Sequence, residues 1–113
     1  MASSLNSFTV KNPEDKVSFK IDTSAAKKAA LTLRALNHKL RQQIIKLIDD
    51  NKEMPVTQIY VKLRLEQSVA SQHLAILRRA NLVVTKRDGK FVHYALNYKR
   101  LNDLMVFVDQ LNH

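Results

Sequence analysis

The sequence contains no cysteine, which excludes disulfides, thiolate metal ligands and thiol redox switches. A single glycine, Gly89, leaves no glycine-rich loop to cradle a phosphate. Apolar residues make up 45% of the chain but come in short periodic runs. None approaches the roughly 20 residues that a membrane helix needs, and the N-terminus has no apolar signal core. These absences lead us to expect a soluble, cytoplasmic protein with no membrane partner. Catalytic machinery is also missing from the pattern. There is no Ser–His–Asp spacing, and the four histidines (His38, His73, His93 and His113) fall on separate predicted elements. Nothing in the sequence points to an enzyme.

What is present is positive charge. Nineteen basic residues against ten acidic ones give a net charge of +9 and a pI near 10.0. The excess is uneven. Between Val56 and Arg100 nine basic residues face only Glu66 and Asp88, so that stretch carries +7 of the total. A balance of this kind favours a polyanionic partner such as nucleic acid, with plain solubility as the alternative. At 113 residues the chain has room for one domain with one modest core.

Residues 1–22 mix polar, charged and isolated apolar residues around Pro13 and read as an N-terminal arm. The domain proper is then expected over 23–113. Thr23 or Ser24 can cap a first helix whose stripe runs Ala26, Ala29, Ala30, Leu33, Leu36. Asn37 can cap a second helix to about Asp50, burying Leu40, Ile44, Ile45 and Ile48. After the polar turn 49–53, Pro55 suits the first turn of a short third helix carrying Val56, Ile59 and Leu63. A fourth helix follows from Gln67 to about Asn81, with Val69, His73, Leu74 and Leu77 inward. Val83, Val84, Phe91, Val92, Tyr94 and Leu96 have strand propensity, and Asp88-Gly89 between them signals a hairpin. A last helix spans about 98–112 with Leu101, Leu104, Met105, Val108 and Leu111 in a stripe richer than a terminal helix needs. The expected fold is mainly α (α+β): about five helices and a two-stranded β-hairpin.

The third and fourth helices form a helix-turn-helix pattern, and the hairpin behind them reads as a wing. The outer face of the fourth helix carries Gln67, Ser68, Ser71, Gln72, Ala75, Arg78 and Arg79, with no acid among them. Such a helix fits the DNA major groove. Gln67 can contact adenine through two hydrogen bonds, Ser68 and Ser71 can bond bases or phosphates, and Gln72 stands at the edge of the face. Arg78 and Arg79, two turns on, suit phosphates. Lys86, Arg87 and Lys90 cluster at the wing tip, suited to phosphate or the minor groove. The competing interpretation of that tip is a charged turn that blunts a sheet edge.

From Leu33 to Leu96 the residues resemble the ArsR/SmtB type of winged-helix repressors. LRALNHKLRQQIIKLI is similar to that family's second-helix region, with Arg41 where an arginine is usual. LRLEQSVASQHLAILRRANLVVTKRDGKFVHYAL resembles its recognition helix and wing, with Gln67, Ser68, Val69, Ser71, His73 and Leu74 at matching spacings. The resemblance implies a homodimer built on the first and last helices, here through Ala29, Leu33, Leu101, Leu104, Met105, Val108 and Leu111. It also implies repression by binding a double-stranded DNA operator, relieved by an inducer. His73, on the inward side, reads as a packed histidine that fixes the helix. The metal positions of the family depart: Pro55 and Thr57 stand where one branch has cysteines, and Tyr98 and Arg100 where another has aspartate and histidine. Asp103, Asp109 and His113 alone make a weak ligand set. No metal or other cofactor is expected, and the sequence names no inducer. Two other functions fit the fold: a protein-interaction module, or an architectural DNA binder without sequence preference.

Overall fold

The computed structural model describes residues 6–113. In chain order the elements are β1 (Ser7–Lys11), β2 (Ser18–Asp22), α1 (Thr23–Leu36), α2 (Lys39–Asn51) and β3 (Glu53–Pro55). They continue with α3 (Val56–Lys62), α4 (Gln67–Arg79), β4 (Val83–Asp88), β5 (Phe91–Leu96) and α5 (Tyr98–Leu111). The chain divides into two compact units, one up to Thr32 and one over Leu33–His113, with the division inside α1.

In the first unit, residues 7–22 are a β-hairpin where the sequence suggested an arm. Phe8 pairs with Ile21 and Val10 with Phe19, so all four share one face of the antiparallel ladder. The connection is closed by its own polar groups. Asn12 Oδ1 accepts the Glu14 N–H and Asp15 Oδ1 accepts the Val17 N–H, each at 2.9 Å, with Lys16 left-handed at φ 65°. Each strand holds only two apolar residues in five, too few for the alternation to stand out. The first helix is capped by Asp22, whose Oδ1 accepts the Ala25 N–H at 2.9 Å, one residue before the expected Thr23 or Ser24.

The second unit has a core of Ala35, Ile44, Ile48, Met54, Ile59, Leu74, Leu77, Leu82, Val83 and Leu96. Helix α2 supplies Ile44 and Ile48 as its stripe predicts. Its cap is His38 rather than Asn37: the ring Nδ1 accepts the Leu40 N–H at 3.2 Å. The sheet has three strands in the order β3-β5-β4, one more than the expected hairpin. Strand β3 lies partly in what looked like a polar turn. Glu53 pairs with Ala95, Met54 with Tyr94 and Pro55 with His93, and Met54 is fully buried. Three residues with one apolar side chain give no periodicity to detect. Pro55 therefore ends the strand and caps α3 instead of opening its first turn.

Scarcity of glycine shapes the helix ends. Arg64 (φ 55°) follows α3 and Asn81 (φ 61°) follows α4 in the left-handed conformation that usually selects glycine. Both ends close with the same paired bonds. The Leu65 N–H reaches the Tyr60 carbonyl at 2.9 Å and the Arg64 N–H that of Val61 at 3.2 Å. The Leu82 N–H likewise reaches Leu77 at 3.0 Å and the Asn81 N–H reaches Arg78 at 2.9 Å.

Candidate nucleic-acid interface

Residues 63–66 turn the chain from α3 into α4. Arg64 closes α3, and Glu66 opens α4 from an extended conformation (φ −68°, ψ 147°) without a side-chain cap bond. At 100° per residue, Gln67, Ser68, Ser71, Gln72, Ala75, Arg78 and Arg79 fall within an arc of about 140°, and all seven are exposed. The opposite side is set by Ala70, Leu74 and Leu77, each with no exposed surface, and by the half-buried His73. Sequence reasoning passed over Ala70, whose small side chain lets α4 approach the core closely.

Behind α4 the wing is built on a two-residue turn. Asp88 pairs with Phe91, so Gly89 and Lys90 form the turn, one position later than the Asp88-Gly89 signal suggests. Gly89 takes φ +61° and Lys90 does not, the pattern of a turn with glycine first.

The register then separates the wing cations. Lys86 shares a face with its partner His93, and Arg87 points to the other face, as Thr85 and Tyr94 do. Glu53 of β3 reaches the Lys86 face, with Oε2 3.4 Å from Lys86 Nζ and Oε1 4.0 Å from His93 Nδ1. Tyr94, on the Arg87 face, joins Ser71, Ala75, Arg78, Arg79 and Asn81 around a groove of about 460 Å³ between α4 and the wing. The geometry thus brings Ser71, Arg78 and Arg79 together beside the wing and leaves Arg87 and Lys90 unopposed by any ion pair among the described residues. Gln67, Ser68 and Gln72 lie on the same helix face but outside that groove. Lys86 is the exception, engaged with an acid the sequence gave no reason to place there. Tyr94 and Asn81 were not singled out as site residues; the strand register would have flagged Tyr94.

Two positions where the family resemblance led us to look for metal ligands are engaged in hydrogen bonds. The Tyr98 hydroxyl donates to Asp49 Oδ1 at 2.8 Å, and that bond is the main cause of its raised pKa. Arg100 Nε donates to the Ala80 carbonyl at 3.3 Å. Among the described residues no three His, Asp or Glu side chains gather where an ion would sit.

The last helix differs from α4. None of its residues is fully buried. Leu101, Leu104 and Val108 are half-buried, while Met105, Val106, Phe107 and Leu111 are exposed, Leu111 by 63%. Phe107 thus extends the predicted stripe at its edge, while Val106 lies on the opposite side of the helix. Leu33 and Leu36 of α1 meet Met105 and Val108 along a groove of about 450 Å³. Ala29, in the first unit, is half-buried.

A short helix, a turn, an outward-facing polar helix and a basic hairpin define a winged helix-turn-helix protein. The family model for "Bacterial regulatory protein, arsR family" matches residues 38–85, from the α2 cap into β4. The transcriptional activator HlyU of Vibrio cholerae is 36% identical over 84 residues, covering 74% of this chain and 77% of that protein. The structure of reduced HlyU aligns with a TM-score of 0.60 at 34% identity, over 74% of this chain and 87% of that one. The transcriptional repressor PagR of Bacillus anthracis aligns with a TM-score of 0.61 at 28% identity, over 76% and 99%. The chain belongs to the arsR family and is a DNA-binding transcriptional regulator.

Proposed function

We propose that the protein is a cytoplasmic homodimeric repressor that binds a two-fold symmetric DNA site and takes no metal signal. The single observation that carries this reading is the acid-free face of α4, which continues into the groove floored by Ser71 and Ala75 and walled by Tyr94. Helix α4 enters the major groove, with Gln67 and Ser68 at its N-terminal end against base edges. Ser71 and Gln72 sit beside them. Arg78, Arg79, Arg87 and Lys90 hold the flanking backbone, which positions the helix without reading sequence. Lys86 contributes less, because Glu53 offsets its charge. A protein-interaction module would need large apolar anchors on α4, and its exposed face has none.

The second copy docks on α5 and α1. Met105, Val108 and Leu111, with Leu33, offer the apolar surface, and Leu101 and Leu104 root it in the core. Tyr98 and Arg100 serve as hydrogen-bond struts, Tyr98 tying α5 to α2 and Arg100 tying it to the end of α4.

Selection of bound duplexes from a random pool tests the reading. The expected result is an enriched, roughly palindromic site with half-sites about one or two helical turns apart. Binding without enrichment would identify an architectural DNA binder instead. Zinc, nickel or arsenite added to the complex is expected to leave affinity unchanged, and release on zinc would reveal a site missed near His113.

A further inference from the structure

Arg41 is the one buried charged side chain among the described residues, at 7% exposure. A buried guanidinium ordinarily has a carboxylate partner. None of the ion pairs among the described residues involves Arg41. Its donors go elsewhere. Nε reaches the Ala35 carbonyl at 2.7 Å, and Nη2 reaches that of Arg34 at 3.1 Å. Nη1 reaches His73 Nδ1 at 3.2 Å. The two carbonyls belong to the C-terminal turn of α1, where backbone acceptors lack helical partners and carry partial negative charge. The guanidinium therefore closes α1 electrostatically from within α2. Its third bond runs to α4, at the residue next to Gln72.

From this geometry we propose that Arg41 is a positioning residue for DNA recognition: through His73 Nδ1 it pins α4 to the end of α1, and the pin holds only while the His73 ring is uncharged. The proposal rests on the DNA-binding role of α4. Arginine has no acceptor, so His73 Nδ1 must be the bare nitrogen and the ring must be neutral. Beside it His38 Nδ1 accepts the Leu40 N–H, and the His38 ring lies 4.9 Å from that of His73. The charged and titratable groups that act on His73 are Arg41 and His38, both from α2 and its cap, and no acid is among them. Burial first, then His38 and Arg41, hold its pKa below 6.5. The pin is thus intact above pH 6.5 and is lost as the pH falls through that lowered value. The turn of α1 that Arg41 closes also carries Leu33 and Leu36, which line the groove beside α5. One arginine therefore joins the surface proposed for the second copy to the helix proposed to read DNA.

The sign of the pH effect separates this device from ordinary electrostatics. Acidification adds charge to histidines, which by itself tightens binding to any duplex. Loss of the pin instead weakens preference for the correct one. The test uses the full chain, a duplex selected from a random pool and a scrambled duplex of the same composition. As the pH is lowered from about 7.5 toward about 5, wild type is expected to lose its preference for the selected duplex progressively, by about tenfold once the ring is charged, the scale of a lost hydrogen bond to a charged group. Binding to the scrambled duplex should not fall. His73→Asn places a non-titrating acceptor near the Nδ1 position and should keep its preference at both pH values. His38→Asn, which retains the helix cap, should still show the fall. An unchanged wild-type preference, or an equal fall in His73→Asn, overturns the proposal. Amide exchange along α4 in the free protein decides it without DNA: faster exchange on acidification in wild type but not in His73→Asn supports the pin, and equal behaviour overturns it. Should neither duplex be preferred, the DNA-reading assignment fails while the exchange result still stands.

Discussion

Helices α4 and α5 are of similar length, 13 and 14 residues, and each shows solvent one broad face. The two faces differ in how much apolar surface they expose. That of α4 is glutamine, serine, alanine and arginine, over a row of side chains sealed from solvent. That of α5 mixes the exposed apolar side chains Met105, Val106, Phe107 and Leu111 with Lys99, Asn102, Asp103, Asp109 and Gln110, with no fully buried residue behind it. A polar face on a firmly seated helix suits a charged, hydrated partner whose contacts depend on accurate placement. Exposed apolar side chains on a loosely seated helix suit a partner that completes their burial, in the proposed function a second copy of the chain.

The sharpest way to break this contrast is to make α5 resemble α4. Val108→Glu should turn the dimer into a monomer, seen as a halved mass by sedimentation. It should also weaken binding to the selected duplex by about a hundredfold or more, because the two half-sites are no longer linked. A monomeric wild type would remove the basis of the comparison. Next in size is Gln67→Ala, expected to cost about 1–3 kcal/mol on the selected duplex and little on a scrambled one. Equal losses on both would make α4 a backbone contact only.

Smaller effects should distinguish the wing cations. Arg87→Ala should lower the slope of log affinity against log salt by about one unit, as expected for one lost phosphate contact. Lys86→Ala should change it less, because Glu53 already stands by its ammonium, and Glu53→Gln should tighten binding. The smallest effect concerns stability alone. Asn81→Gly relieves a left-handed residue at the end of α4 and should stabilise the fold by a few tenths of a kcal/mol, up to about 1, measured by denaturant midpoint.

Much of this architecture was legible in the residues. Leu40, Ile44 and Ile48 in α2, and Val69, His73, Leu74 and Leu77 in α4, recur at helical spacing over about two turns, and Ile44, Ile48, Leu74 and Leu77 proved buried. The polar face of α4 was readable for the same reason. Short strands were not. β3 contributes one apolar side chain, and the β1–β2 hairpin two per strand, so their existence depends on partners far along the chain. The wing turn was displaced by one residue because Asp-Gly is a composition signal, whereas the register is fixed by pairing across six positions. Arg41 was visible only as a matching position. Its bonds to Ala35, Arg34 and His73 join three helices, and no local pattern reports such a convergence.

The three residues between α4 and β4 bear on how the protein meets a duplex. Ala80 continues the helix end and Asn81 closes it. Leu82 is fully buried, with its N–H on Leu77 and its carbonyl accepting from Asn97 at 3.0 Å. No slack remains in this link, so helix and wing act as the jaws of a fixed caliper. When such jaws close on DNA, the misfit falls on the duplex. Groove width and stiffness vary with sequence, so a protein bound in the proposed way discriminates at base pairs that neither jaw touches.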